Sequence, residues 1–96
     1  MYLQEAQLSG AKLEYALLSN TNMANAILIE ANLFDADLTS ANLTNVVSLM
    51  RANLTYANLA GVKFSKHAGL SEAIMRGANL TAADLTEEGL DLLAPT

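Results

Sequence analysis

The sequence predicts an all-β fold, a quadrilateral parallel β-helix of about four and a half coils, and three observations carry that prediction. An apolar centre returns every fifth residue from Leu3 through Leu8, Leu13, Leu18, Met23, Leu28, Leu33 and Leu38 to Leu43. After a six-residue step it continues at Leu49, Leu54, Leu59 and Phe64, and after a second at Leu70, Met75, Leu80, Leu85 and Leu90. A small residue stands two places before nearly every centre, as at Ala6, Ala11, Ala16, Ala26, Ala31, Ala52 and Ala78, with Thr21, Val47 and Val62 as substitutes. Between the two sits most often an amide or an acid, and the stretch Ala31 to Leu43, ANLFDADLTSANL, shows the pattern at its purest.

Each part of the repeat has a physical reason. On an α-helix a step of five residues rotates each leucine by about 140°, so the leucines would wind around the cylinder and make no stripe. In extended backbone the alanine and the leucine point to the same side and the residue between them to the other. This gives three residues reading in, out, in, followed by two that can turn a corner. With corners of roughly 90°, four such units close a square coil, and successive coils stack at about 4.8 Å. Leucine then stacks on leucine in the interior, and alanine fits where the backbone leaves little room.

The motif Ala-(Asp/Asn)-Leu-X-X occurs as Ala31-Asn32-Leu33, Ala36-Asp37-Leu38, Ala41-Asn42-Leu43, Ala52-Asn53-Leu54, Ala57-Asn58-Leu59, Ala78-Asn79-Leu80 and Ala83-Asp84-Leu85. It resembles the pentapeptide-repeat protein family over nearly the whole chain. The resemblance implies that the β-helix is right-handed. It also implies a scaffold without enzymatic activity, since most members have no assigned activity and a few protect type II topoisomerases by imitating DNA.

The chain is expected to form one domain over residues 1–96, with repeats in 1–85 and a C-terminal cap or tail in 86–96. In that tail Thr86, Glu87 and Glu88 resemble a helix start, and Leu90, Leu92 and Leu93 would fold over the last coil or form a dimer contact. No comparable cap precedes the first coil, so association of copies through coil ends is a second expectation. The two six-residue steps fall at the same corner of neighbouring coils and predict a stacked bulge, with extra residues near Val46 and His67. Its plain role is to keep the ladder in register.

Composition narrows the function classes. A net charge of -5 disfavours nonspecific binding to nucleic acid or to anionic lipid. With no cysteine there is no disulfide framework, and neither a basic leader followed by an apolar run nor a membrane-length apolar window is present, so a cytoplasmic protein is expected. His67 is the only histidine, and a triad drawn with Ser65 and Glu72 has no pocket to work across. One histidine is too few for a transition-metal site, the five glycines form no phosphate loop, and no cofactor is expected. The sequons at Asn42, Asn53 and Asn79 each enclose a buried centre and are by-products of the repeat. Outward amides are expected to stack between coils, Asn22 on Asn42 and Asn25 on Asn45.

Large apolar side chains are distributed unevenly over the predicted surface. Stacking the coils brings Tyr15, Phe34 and Tyr56 together on the third face, and Ile27, Ile29 and Met50 on the adjoining second face. An apolar and aromatic patch rimmed by charge marks a surface for a protein partner. Aromatic residues also favour β surfaces for local stacking alone. The alternative is a DNA-mimicking modulator of a type II topoisomerase. Against it, the ten acidic residues spread over several faces, and the rod would be only about 22 Å long.

Overall fold

The computed structural model describes residues 2–44, 48–64 and 72–83, and these form four stacked square coils. Each side pairs in parallel with the side below it. Side one stacks Tyr2 on Asn22 on Asn42, and side two stacks Gln7 on Ile27 on Ser48. Side three runs Lys12, Asn32, Asn53 and Ile74, and side four runs Leu17, Asp37, Asn58 and Asn79. On side one the pairing widens into two short strands, β1 (Asn42–Leu43) and β2 (Lys63–Phe64), in the register Asn42 to Lys63 and Leu43 to Phe64. Elsewhere the three-residue strand that the repeat predicts contracts to a single bridged residue, because the chain turns again almost at once.

The expected inside and outside assignment holds along the coils. Leu28, Leu33, Leu38, Leu43, Leu49, Leu54 and Leu59 are buried, as are Ala26, Ala31, Ala36, Ala41, Ala52 and Ala57. Met23, Val62, Phe64 and Thr21 fill the same column where the consensus residue is replaced. Burying a leucine contributes about 1.5–3 kcal/mol, and Leu33, for example, stacks between Leu13 and Leu54. Leu3, Leu8 and Leu13 in the first coil, and Met75 and Leu80 in the fourth, are only partly buried.

The corners follow a rule that the apolar pattern does not reveal. In the repeats whose turns lie wholly among the described residues, the amide two residues before a centre, such as that of Ala36, donates to the preceding centre's carbonyl, here Leu33. These bonds are 2.9 to 3.1 Å and close a four-residue turn. The third residue of every such turn among the described residues has positive φ, between 56° and 69°, and the places are filled by Gly10, Gly61 and Gly77 but also by Glu30, Arg51, Tyr15 and Tyr56. That sign at that place is the mark of a type II turn, which favours glycine or asparagine. The left-handed residue's own amide then donates to the next coil, as Asp35 does to Thr55 at 2.8 Å.

The outward Asn and Asp residues satisfy the remaining turn amide. The Oδ1 of Asn22, Asn32, Asp37, Asn42, Asn53, Asn58 and Asn79 accepts the backbone N–H two residues on, at 3.0 to 3.1 Å. Ser48 Oγ does the same for Met50. Stacking between coils is secondary and longer: Asn42 Nδ2 donates to Asn22 Oδ1, and Asn53 Nδ2 to Asn32 Oδ1, both at 3.4 Å. The pairing of Asn22 with Asn42 is as predicted, while Asn45 lies outside the described residues.

Register locates the two extra residues. Asn22 to Asn32 spans ten residues, whereas Asn42 to Asn53 and Lys63 to Ile74 each span eleven, although each pair joins side one to side three. One insertion therefore falls between Leu43 and Ser48 and the other between Phe64 and Ala73. Val46 and His67, the predicted bulge residues, lie outside the described residues, as does the predicted cap or tail.

Candidate interaction surface

The aromatic residues meet at the corner between sides three and four. Tyr15 and Tyr56 hold the left-handed place of their turns, with φ of 63° and 59°, and Phe34 holds the place before it in the coil between them. The Phe34 ring centroid lies 5.8 Å from that of Tyr15 and 5.7 Å from that of Tyr56, with ring planes at 78° and 80°. Both pairs are edge arrangements favoured by the ring quadrupoles. Below Tyr56 the column ends on Gly77, where a Cβ would fall 2.5 Å from Tyr56 Cδ1. Absence of a side chain at Gly77 therefore lets the tyrosine ring lie against the backbone.

Exposure separates the six candidate residues. Tyr15 is 65% exposed and Tyr56 56%, while Phe34 between them is half-buried. Ile27, Ile29 and Met50 are also half-buried. Ile29 and Met50 stand in corresponding turns of successive coils, where Glu30 N–H donates to the Met50 carbonyl, at the corner between sides two and three. Ile27 stands on side two itself. The three aromatics thus form one contacting group at a corner, and the three aliphatics sit on a separate stretch of wall, parted from it by the Asn32 and Asn53 side.

Two further apolar residues on the sides that flank the aromatic corner are exposed. Leu17, 80% exposed, begins side four in the same coil as Tyr15, and Ile74, 46% exposed, ends side three. Both take an outward place where the repeat calls for Asn or Asp. Leu17 in Ala16-Leu17-Leu18 was the readable signal. Tyr2, 81% exposed, stands apart on side one.

Charge at the neighbouring corner is internally paired. Arg51 Nε donates to Glu30 Oε2 at 3.0 Å and its Nη1 to Glu72 Oε1 at 3.3 Å, so one arginine links three coils between sides two and three. Hydrogen bonding to Glu30, its charge, and then Glu72 raise the guanidinium above its ordinary value. On side four the Thr39 hydroxyl, and after it the Thr39 amide, hold the Asp37 carboxyl below its ordinary value. Among the described residues no group of three His, Asp or Glu side chains is placed to hold a metal ion, and no helix is long and apolar enough to cross a membrane.

Comparison with known proteins agrees with this architecture. The sequence model for pentapeptide repeats matches residues 6–45, 31–66 and 67–87 with eight copies. Among proteins of curated function none matches. Three solved structures are similar. One is a pentapeptide repeat protein of the Arabidopsis thaliana thylakoid lumen, 31% identical, with 88% of this chain and 65% of that one covered at a TM-score of 0.41. Another is HetL, a pentapeptide repeat protein involved in heterocyst differentiation regulation in the cyanobacterium Nostoc, 24% identical over 86% and 61% at a TM-score of 0.37. The third is the pentapeptide repeat protein Rfr23 of the cyanobacterium Cyanothece, 33% identical over 91% and 54% at a TM-score of 0.31. The chain spans roughly half to two thirds of the length of these proteins. With four bridged sides, a leucine column and eight copies of the motif, this chain belongs to the pentapeptide-repeat family and has its right-handed β-helix fold.

Proposed function

We propose that this protein is a non-catalytic scaffold that binds another protein through the aromatic corner of Tyr15, Phe34 and Tyr56. The observation that carries the reading is the placement of two exposed tyrosines in left-handed turn positions on the same corner, two coils apart. Every described turn imposes positive φ at this place, which suits glycine or asparagine and not a bulky ring, and holding tyrosine there costs of order 1–3 kcal/mol. One edge contact with Phe34 returns about 0.5–1.5 kcal/mol to each. The local exchange roughly breaks even at best, and a glycine or asparagine would fit these turns with less strain. Tyrosine is favoured in the anchors of protein interfaces, and Tyr15 and Tyr56 keep 65% and 56% of their surface exposed.

Topoisomerase mimicry has less support. Where acids recur in one column, at Glu30 and Glu72, Arg51 stands between them and neutralises the line. A row of phosphates has no such interruption.

The test is capture of a partner from the source organism's extract by the wild-type protein, compared with Phe34→Ala and with Tyr15→Asn/Tyr56→Asn. The reading predicts that a protein retained by the wild type is lost from both variants while their circular dichroism is unchanged. Equal retention by folded variants would remove the corner from consideration. In a parallel supercoiling assay with a type II topoisomerase the expected result is no inhibition and no protection.

A further inference from the structure

We infer that the aromatic corner takes an arginine-bearing segment of its partner, with the guanidinium group against tyrosine and paired to Asp35; this rests on the reading of the corner as a binding surface. Asp35 occupies the left-handed place between those of Tyr15 and Tyr56, so an exposed carboxylate stands in the same corner column as two exposed tyrosines. Glu14, beside Tyr15 in the first coil, stacks in the place above Phe34 and adds a second negative charge. The corner of the first three coils thus combines three aromatic rings with two carboxylates. Lys12 and Arg76 stand at the outer coils of this region, and neither pairs with these acids. Both ion pairs among the described residues belong to Arg51 at the next corner.

Of the ligand chemistries that an exposed aromatic group can take, a cation with a planar face fits this one best. A guanidinium stacks on an aromatic ring and offers a fork of donors to a carboxylate, whereas an ammonium is a compact, strongly hydrated point charge. An anionic or acidic segment would meet Asp35 and Glu14 unfavourably. The net charge of -5 steers a basic segment toward the surface at long range.

The chain carries three tyrosines and no tryptophan, so tyrosine fluorescence reports on two of the three residues at the corner directly. The experiment titrates the protein with a short oligo-arginine peptide and with oligo-lysine of equal length. It does so for the wild type, Asp35→Asn, Tyr56→Asn and Glu5→Gln. Glu5 lies at the corner between sides one and two, and its substitution removes the same charge away from the aromatics. Asparagine tolerates the left-handed turn, so Asp35→Asn leaves the fold intact.

The inference predicts tighter binding of oligo-arginine than of oligo-lysine. It predicts about a tenfold loss for Asp35→Asn, as expected for a charged hydrogen-bonded pair, a comparable loss for Tyr56→Asn, and about twofold or less for Glu5→Gln. Equal losses for Asp35→Asn and Glu5→Gln, or no preference for arginine, would overturn it as diffuse charge attraction. In that event a partner protein still lost on Tyr15→Asn/Tyr56→Asn would leave the aromatic corner as the binding surface and discard only the arginine.

Discussion

Gly77 and Gly10 occupy the same place in their turns and have the same φ of 69°, yet a side chain meets different surroundings at each. At Gly10 an added Cβ has no neighbour within 4 Å, so Gly10→Ala should cost only the left-handed strain, about 1–2 kcal/mol. At Gly77 the Cβ would collide with the Tyr56 ring. Gly77→Ala is therefore expected to lose more stability than Gly10→Ala and to raise Tyr56 exposure, measured by urea unfolding and by tyrosine fluorescence quenching. Asp37 offers a pH test. Its folded-state pKa is depressed by Thr39, so its contribution is present above the ordinary carboxylate value of about 3.9 and is lost as pH falls through the lowered value. Asn53 makes the same pair of bonds to Thr55 without a charge. Asp37→Asn should therefore match the wild type at neutral pH and flatten the loss of stability below about pH 4, as read from melting temperatures across that range.

At the scale of the five-residue unit, the apolar column and the polar corner make separable contributions. Leu33 is buried with leucines above and below, so Leu33→Ala should cost about 2–5 kcal/mol by opening a cavity in a column that cannot collapse freely. Asn53→Ala removes one acceptor for a turn amide and should cost about 1 kcal/mol in the same unfolding experiment. Arg51→Ala should lower the melting temperature at low salt, with the deficit closing near about 1 M salt, because the pairs with Glu30 and Glu72 are exposed and screened. The column was legible because burial imposes a period, and Leu33 could be placed inward from spacing alone. The corner was less so. Gly10, Gly61 and Gly77 recur at one place in the repeat and hint at a left-handed turn, but Glu30, Arg51, Tyr15 and Tyr56 occupy that place too and hide the rule. The acceptor role of Asn and Asp was likewise obscured, since stacking between coils and bonding to the chain's own turn favour the same residues.

Across the whole molecule, stacking makes residues about twenty apart into neighbours, which is why a surface could be sketched from sequence at all. Tyr15, Phe34 and Tyr56 were expected together and do touch, although at a corner and not on a flat side. Ile27, Ile29 and Met50 were expected on the adjoining second face; Ile27 stands on side two and Ile29 and Met50 at its corner with side three, all half-buried. Spacing gives the coil and the side, whereas exposure depends on how neighbouring turns shield one another. The extra residues could also be located by register, since the eleven-residue spans from Asn42 to Asn53 and from Lys63 to Ile74 both carry one.

On the proposed reading, the two tyrosines at the aromatic corner serve a partner and not the fold. Equilibrium unfolding of Tyr15→Asn/Tyr56→Asn beside the wild type tests it most directly, because asparagine relieves the left-handed strain while removing the contacts with Phe34. Relief of strain at two sites should match or exceed the loss of two edge contacts, so the variant should be about as stable as the wild type or more stable. A loss of about 3 kcal/mol or more, comparable to emptying a core leucine site, would contradict the claim and make the aromatic column a structural strut.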